Sequence, residues 1–370
     1  MQVRTKTDMT QPFHIYFDID VINNDQKNGE PTPSLKFNLS RNSPFIDCPQ
    51  NYYVSIIRFQ LQTPSLPVFI PQVKIGQTDR NRTIYEFTIY DSVSGNHFTK
   101  YVTYRPSNTT APLPAVPLNF QDLSNEYYFV YTIQDWILML NECLSVLVHF
   151  AALEPPFFYF DVQTSLLKLY MPTSWMTSNY NLYVNKQLQT LLDSFQFKLE
   201  TVPFQMTSLY KFTVNPILLY GKNTETINNV QYNVLLQESN TLPILNPVKS
   251  IVFTTGLFPI QNSLTSPPQL FGADSSLFNG GGNNSNIIPM ITDFEVNPTN
   301  ASTYKESVQY IPSGPYRLID LFGSSPVSTL EIVVYWKDQF GNLHPFKLNS
   351  GCSCDIKIMF RRKDYGNVKL

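Results

Sequence analysis

An all-β chain, a sandwich of the Greek-key or jelly-roll kind with insertions, is what these 370 residues predict, and three observations carry the prediction. The composition favours strands and turns: 27 Phe, 22 Tyr and 28 Pro stand beside charged residues at only 15%. Runs that alternate apolar and polar residues recur along the chain, whereas helical spacing appears in two places. The loops between the runs are long, and no period of 20–50 residues repeats, which speaks against a solenoid or propeller.

The strongest alternation lies near the end of the chain. In Thr329 to Trp336, Glu331, Val333 and Tyr335 alternate with the greasier Ile332, Val334 and Trp336. Gly341-Asn342 supplies a tight turn into Leu343 to Leu348, because both residues tolerate positive φ. Asp355 to Phe360 is a further strand, with Ile356, Ile358 and Phe360 on one face, and it runs into Arg361-Arg362-Lys363.

Taken in order, residues 1–11 read as a polar arm. Phe13, Ile15, Phe17, Ile19 and Val21 form the apolar face of a half-buried strand whose other face carries His14, Tyr16, Asp18 and Asp20. Ser34 to Leu39 reads as a short edge strand and Tyr52 to Thr63 as a long one, broken by Pro64 and Pro67. Thr83–Tyr90 and His97–Tyr104 form a hairpin across a Ser/Gly/Asn turn. Tyr127–Tyr131 is strand-like. Thr132 with Asp135 makes a capping box for a helix over 132–150, with Trp136, Leu140, Leu144 and Leu147 on one face. Glu154-Pro155-Pro156 stops it. Phe157–Val162 and Leu166–Met171 form a second hairpin, and Asn185–Phe197 a short amphipathic helix. Further strands are expected at Tyr210–Val214, Ile217–Tyr220, Val230–Leu236, Ser250–Thr255, Asp293–Val296 and Ser307–Ile311, with a flexible tip at Asn279–Asn286.

Composition narrows the function. A net charge of −2 is too acidic for a general nucleic-acid coat. Few charges and many aromatics suit flanks that neighbours cover, because interface cores share that bias. The four cysteines, Cys48, Cys143, Cys352 and Cys354, read as reduced thiols, since Cys352-Ser-Cys354 lacks the second ligand pair of a zinc site. No signal peptide and no membrane span are expected from the polar start and the interrupted apolar runs.

Candidate chemistry is sparse. Asp18 and Asp20 share a strand face and could pair on a metal, although a solvated face is the simpler reading. His14, His97, His149 and His344 form no HxH or HExxH pattern and read as surface residues. The glycines at 280–282 lack the Lys-Ser/Thr of a phosphate loop. Arg361, Arg362 and Lys363, with Lys369, make a basic tail suited to an inner surface or a nucleic acid. Neither catalytic residues nor cofactors are expected.

Gly314 to Gly323, Leu330 to Asp338, Pro345 to Leu348 and Ile356 to Lys363, together with Leu245 to Thr255, resemble the minor capsid (penton) proteins of the virophage, polinton-like virus and adintovirus group. The resemblance is one of pattern and is strongest over the last third. It implies a jelly-roll base at the icosahedral five-fold vertex with an inserted outer domain. It therefore implies a virion protein assembled inside the host cell: a homopentamer contacting the major capsid protein, and packaged DNA through the basic tail. The chain is longer than one jelly roll needs, so the expected division is an arm 1–11, a base 12–111 and 204–370, and an insert 112–203 bearing the helix. Two consecutive jelly rolls in a trimeric shell protein are the alternative. A glycan- or receptor-binding sandwich using exposed Tyr and Trp, and a β-sandwich hydrolase, remain as other classes.

Overall fold

The alternation at Thr329 to Trp336 builds a ten-residue strand, Thr329–Asp338, in which Leu330, Ile332, Val334 and Trp336 are buried and the residues between them are half-buried. The structure is a computed structural model describing residues 12–24, 33–107, 111–123, 125–149, 154–202, 208–213, 224–265, 286–296, 307–310 and 317–363. The predicted arm 1–11, the strand at 217–220 and most of the tip at 279–286 lie outside the described residues.

Strands β1 (His14–Ile22), β2 (Lys36–Ser40) and β3 (Tyr52–Leu61) come first. A middle block follows: β4 (Arg82–Asp91), β5 (His97–Thr103), helix α1 (Ile133–His149), β6 (Phe157–Asp161), β7 (Leu166–Pro172), α2 (Ser174–Thr177), β8 (Tyr180–Val184) and α3 (Lys186–Leu191). It ends with β9 (Phe197–Thr201), β10 (Ser208–Phe212), β11 (Thr224–Ile227) and β12 (Val230–Leu236). The chain returns through α4 (Leu242–Leu245), β13 (Val248–Thr254), β14 (Ser263–Thr265), β15 (Asn286–Ile288) and β16 (Met290–Glu295). It closes with β17 (Val308–Tyr310), β18 (Ile319–Asp320), β19 (Thr329–Asp338), β20 (Leu343–Pro345) and β21 (Ser353–Arg362).

Two sheets form a first sandwich, ordered β1-β21-β3-β17 and β16-β13-β19-β2, with β18 added on β3 and β20 on β19. Strands swap sheets at each step except from β13 to β16: β1, β3, β17 and β21 lie in one, and β2, β13, β16 and β19 in the other. That alternation, with every pairing antiparallel, is a jelly roll. Its core is aromatic. Phe59 meets Phe253 of the opposite sheet at 5.0 Å and Phe294 at 4.8 Å, while Phe17, Phe45 and Phe360 pack edge to face or tilted. Each such pair contributes about 0.5–1.5 kcal/mol beyond the area it buries.

A second pair of sheets, β5-β4-β8-β10-β9 and β11-β12-β7-β6, is made wholly from the block between β3 and β13. The hairpin β4–β5, which the sequence division placed in the base, hydrogen-bonds through β4 to β8 and therefore belongs with this block. Helix α1 packs on it. The predicted cap is present: Asp135 N donates to Thr132 Oγ1 at 3.1 Å, and the hydroxyl donates to Asp135 Oδ2 at 2.7 Å. Trp136, Leu140, Leu144 and Leu147 are all buried. Asn141 accepts from Phe158 N and donates to its carbonyl, so the helix caps the backbone of edge strand β6.

Three local expectations differ. Glu126–Tyr128 is a 3-10 turn where a strand was expected, because the Asn125 side chain accepts from Tyr127 N at 2.9 Å. The helix expected to reach Phe197 stops at Leu191. Ser194 takes a φ of 76°, and the Phe197 ring is drawn to Phe212 at 4.6 Å in the neighbouring strand. Phe13, expected in the apolar stripe, is 44% exposed.

The two sandwiches are joined by packing. Val130 exchanges two backbone hydrogen bonds with Phe69 and accepts a third from Val68 N, Lys347 Nζ reaches Glu126 at 2.6 Å, and Phe129 packs on Trp336 at 5.6 Å.

Candidate assembly surface

Of the four cations singled out in the sequence, Lys369 lies outside the described residues, and the other three are held against the sheet. Arg361 and Arg362 are the last ladder positions of β21, opposite Tyr53 and Tyr52. Arg362 N donates to Phe13 O at 2.9 Å, and its guanidinium lies 5.5 Å from the Phe13 ring, which is why that ring is held at the surface. Lys363 Nζ is 2.7 Å from Asp320 Oδ1 and 3.3 Å from Leu321 O, over the rings of Tyr53 and Phe322. All three residues are half-buried.

Next to them, the outer face of β1, β21 and β3 is a lattice of charges. The β1 register sets Asp18 opposite Lys357 and Asp20 opposite Asp355, and Lys357 in turn faces Arg58 of β3. Arg58 donates to Asp18 at 2.9 Å and approaches Asp355 at 3.5 Å, while Lys357 lies 3.3 Å from Asp18. Asp18 is thus bound by cations, which makes it a member of an ion-pair lattice. Partial burial pushes the Asp355 carboxyl above its usual range, Arg58 opposes the shift, and Asp20 and Asp18 add to it. Pairs this exposed contribute about 0–1 kcal/mol each. Their value is in the register of β1, β21 and β3.

Among the described residues no three His, Cys, Asp or Glu side chains gather to hold a metal, and no helix is long and apolar enough to cross a membrane. All four thiols are unpaired; burial pushes Cys143 and Cys354 up to about 12. His14 is half-buried and His97 exposed, but His344 is 4% exposed and bonded to Asp338, against the surface reading. The sequence signal was present: an Asp before a Gly-Asn turn and a His just after it can close on each other.

The family model of the Sputnik minor capsid protein V18/19 matches residues 15–362. The chain belongs to that family. This minor capsid protein is 26% identical over 216 residues to structural protein V19 of the Sputnik virophage, a match covering 56% of the chain and 94% of the relative. It is 27% identical over 144 residues to the uncharacterized protein V18 of the same virophage, covering 37% of the chain and 84% of the relative. The fold matches a chain of the cryo-EM structure of the Sputnik virophage with a TM-score of 0.75, at 23% identity, over 96% of this chain and 99% of the other. It also matches the mavirus penton protein with a TM-score of 0.67, at 16% identity, over 94% and 99%. The minor capsid protein is a structural component of the virion and not an enzyme.

Proposed function

We propose that this minor capsid protein is the penton: five copies ring the five-fold vertex and meet the major capsid protein at their outer flanks. The observation that carries the reading is the jelly roll with its long insertion between β3 and β13, a layout whose fold matches the mavirus penton protein along almost its full length. A ring of this kind uses one flank against the next, closed by rotation. Low charge, at 15% of residues, keeps the cost of desolvating such flanks small.

The domain division belongs to the same proposal. Hydrogen bonding supports a base of β1–β3 with β13–β21 and an outer unit of β4–β12, which moves the boundary of the insert from 112 to before Arg82 and from 203 to after Leu236. Residues 1–11 serve as an arm to a neighbouring capsomer, and assembly takes place inside the host cell. A contact between packaged DNA and Arg361, Arg362 and Lys363 has the weakest support, because Lys363 is already neutralised by Asp320.

Mass in solution tests the reading. Native mass spectrometry is expected to show a five-fold multiple of the 42.5 kDa chain. A trimer, or a monomer at every concentration, overturns it.

A further inference from the structure

In the outer unit, the ladder between β8 and β10 is two pairs long, Val184 with Tyr210 and Tyr183 with Lys211. Beside the end of that ladder, where β10 stops at Phe212, lies a cavity of about 580 Å³. It is open to solvent and not closed like a packing void, and tyrosines, amides and charged groups line it beside Met171, Met176 and Phe212.

One wall is aromatic. Tyr180 stands half-buried with its ring 6.2 Å from the buried indole of Trp175, and that indole is fixed by donating to Glu154 O at 3.0 Å. Tyr90 contributes a second ring. The opposite wall is charged. Lys198 and Lys211 face each other directly in the β9–β10 register, an arrangement of like charges that costs stability. A single carboxylate answers both. Glu200 is 2.8 Å from Lys198 and accepts the Tyr183 hydroxyl at 2.9 Å, so both of its oxygens are engaged. Asp91, opposite Tyr180 in the β4–β8 register, is turned into its own loop, where it accepts from Val93 N and Ser94 Oγ. The Lys211 ammonium is left as the surplus cation of the cavity.

Aromatic rings beside one surplus cation, with Asn181 also in the lining, match a particular chemistry. The C–H face of a sugar ring packs on an aromatic ring, amides take hydroxyls, and an ammonium takes a carboxylate. We propose that this cavity binds a carboxylate-bearing sugar, with Lys211 holding the carboxylate and Tyr180 the face of the ring. An outer-unit site of this kind gives the capsid protein a surface-recognition role in addition to its structural one.

The full-length protein is titrated by saturation-transfer NMR and calorimetry with the methyl glycosides of glucuronic acid and N-acetylneuraminic acid. Glucose, N-acetylglucosamine and inorganic phosphate are the comparators. At least one acidic sugar is expected to saturate in the millimolar range, with neutral sugars and phosphate weaker by roughly tenfold or more. Lys211→Met and Tyr180→Ala each lower acidic-sugar binding by about tenfold while the thermal midpoint holds, and Lys211→Gln replaces the first if it does not fold. Three outcomes overturn the proposal: no saturation by either acid, neutral sugars or phosphate binding as tightly, or undiminished binding by the Lys211 variant. None of them touches the pentamer, which is read from mass alone.

Discussion

The imidazole Nε2 of His344 lies 3.0 Å from Asp338 Oδ2, and the ring stacks on Trp336 with centroids 4.0 Å apart. Asp338 also accepts from Phe340 N at 2.8 Å, Asn342 N at 2.9 Å and Asn342 Nδ2 at 2.9 Å, so one carboxylate ties the whole β19–β20 turn. Phe129, just before α1, packs on the same Trp336 and His344. The turn is therefore part of the joint between the two sandwiches.

Removing that carboxylate takes the shared acceptor from the buried His344 ring, the half-buried Phe340 N and the exposed Asn342. Asp338→Ala is expected to lower the unfolding free energy by about 2–4 kcal/mol, whereas Asp338→Asn, which keeps one acceptor, costs less. Urea titrations of the two variants give the comparison, and equal losses would contradict the role assigned to the acceptor.

The joint itself rests on packing more than on charge. Phe129 is 4% exposed, so Phe129→Ala is expected to cost about 3–5 kcal/mol. Lys347 and Glu126 are both 26% exposed, so Glu126→Gln is expected to cost under about 1 kcal/mol. Calorimetry should also show the Phe129 variant splitting its transition; a single unshifted peak would rule out a packing joint.

The thiols should separate by burial. Cys143 and Cys354 sit at about 12 and are buried, while Cys48 and Cys352 are half-buried. Native alkylation at pH 8, read by mass spectrometry, is expected to label Cys48 and Cys352 long before the other two. Labelling of Cys143 at a similar rate would show that α1 opens readily.

Asp355 gives a pH test. Its carboxyl is raised chiefly by burial, so the folded state holds the proton more tightly than the unfolded chain does. The stabilising effect of that protonation is present at low pH and is lost as pH climbs through the folded value. Arg58→Met removes the opposing cation and should move the Asp355 midpoint further up in a carboxyl NMR titration. An unmoved midpoint would mean that Arg58 does not act on it.

Local signals in the sequence were reliable where a segment's own residues decide its shape. Thr132 and Asp135 cap α1 as expected, and the alternations at β1 and β19 set their inward faces, whereas Val54 to Ile57 of β3 are all buried. What stayed hidden was long-range. The β4–β5 hairpin was visible, but the choice of sheet depends on Thr88 meeting Tyr183, residues 95 positions apart in the chain. β8 was missed because its five residues, Tyr180–Val184, follow a polar stretch and are made a strand by neighbours on both sides. The charge lattice of Asp18, Arg58, Asp355 and Lys357 joins three strands distant in sequence, so no spacing announces it. The cavity beside the β8–β10 ladder is lined by residues far apart in the chain, a geometry with no motif.

The chain leaves the jelly roll after Leu61 and re-enters it at Val248, and these residues pair with Cys354 and Asp338, the two ends of a single connection. Exit and return are thus side by side at one end of the base. Two crossings set close together, with Phe129 packed on Trp336, leave the register of the jelly roll independent of what the chain folds between them.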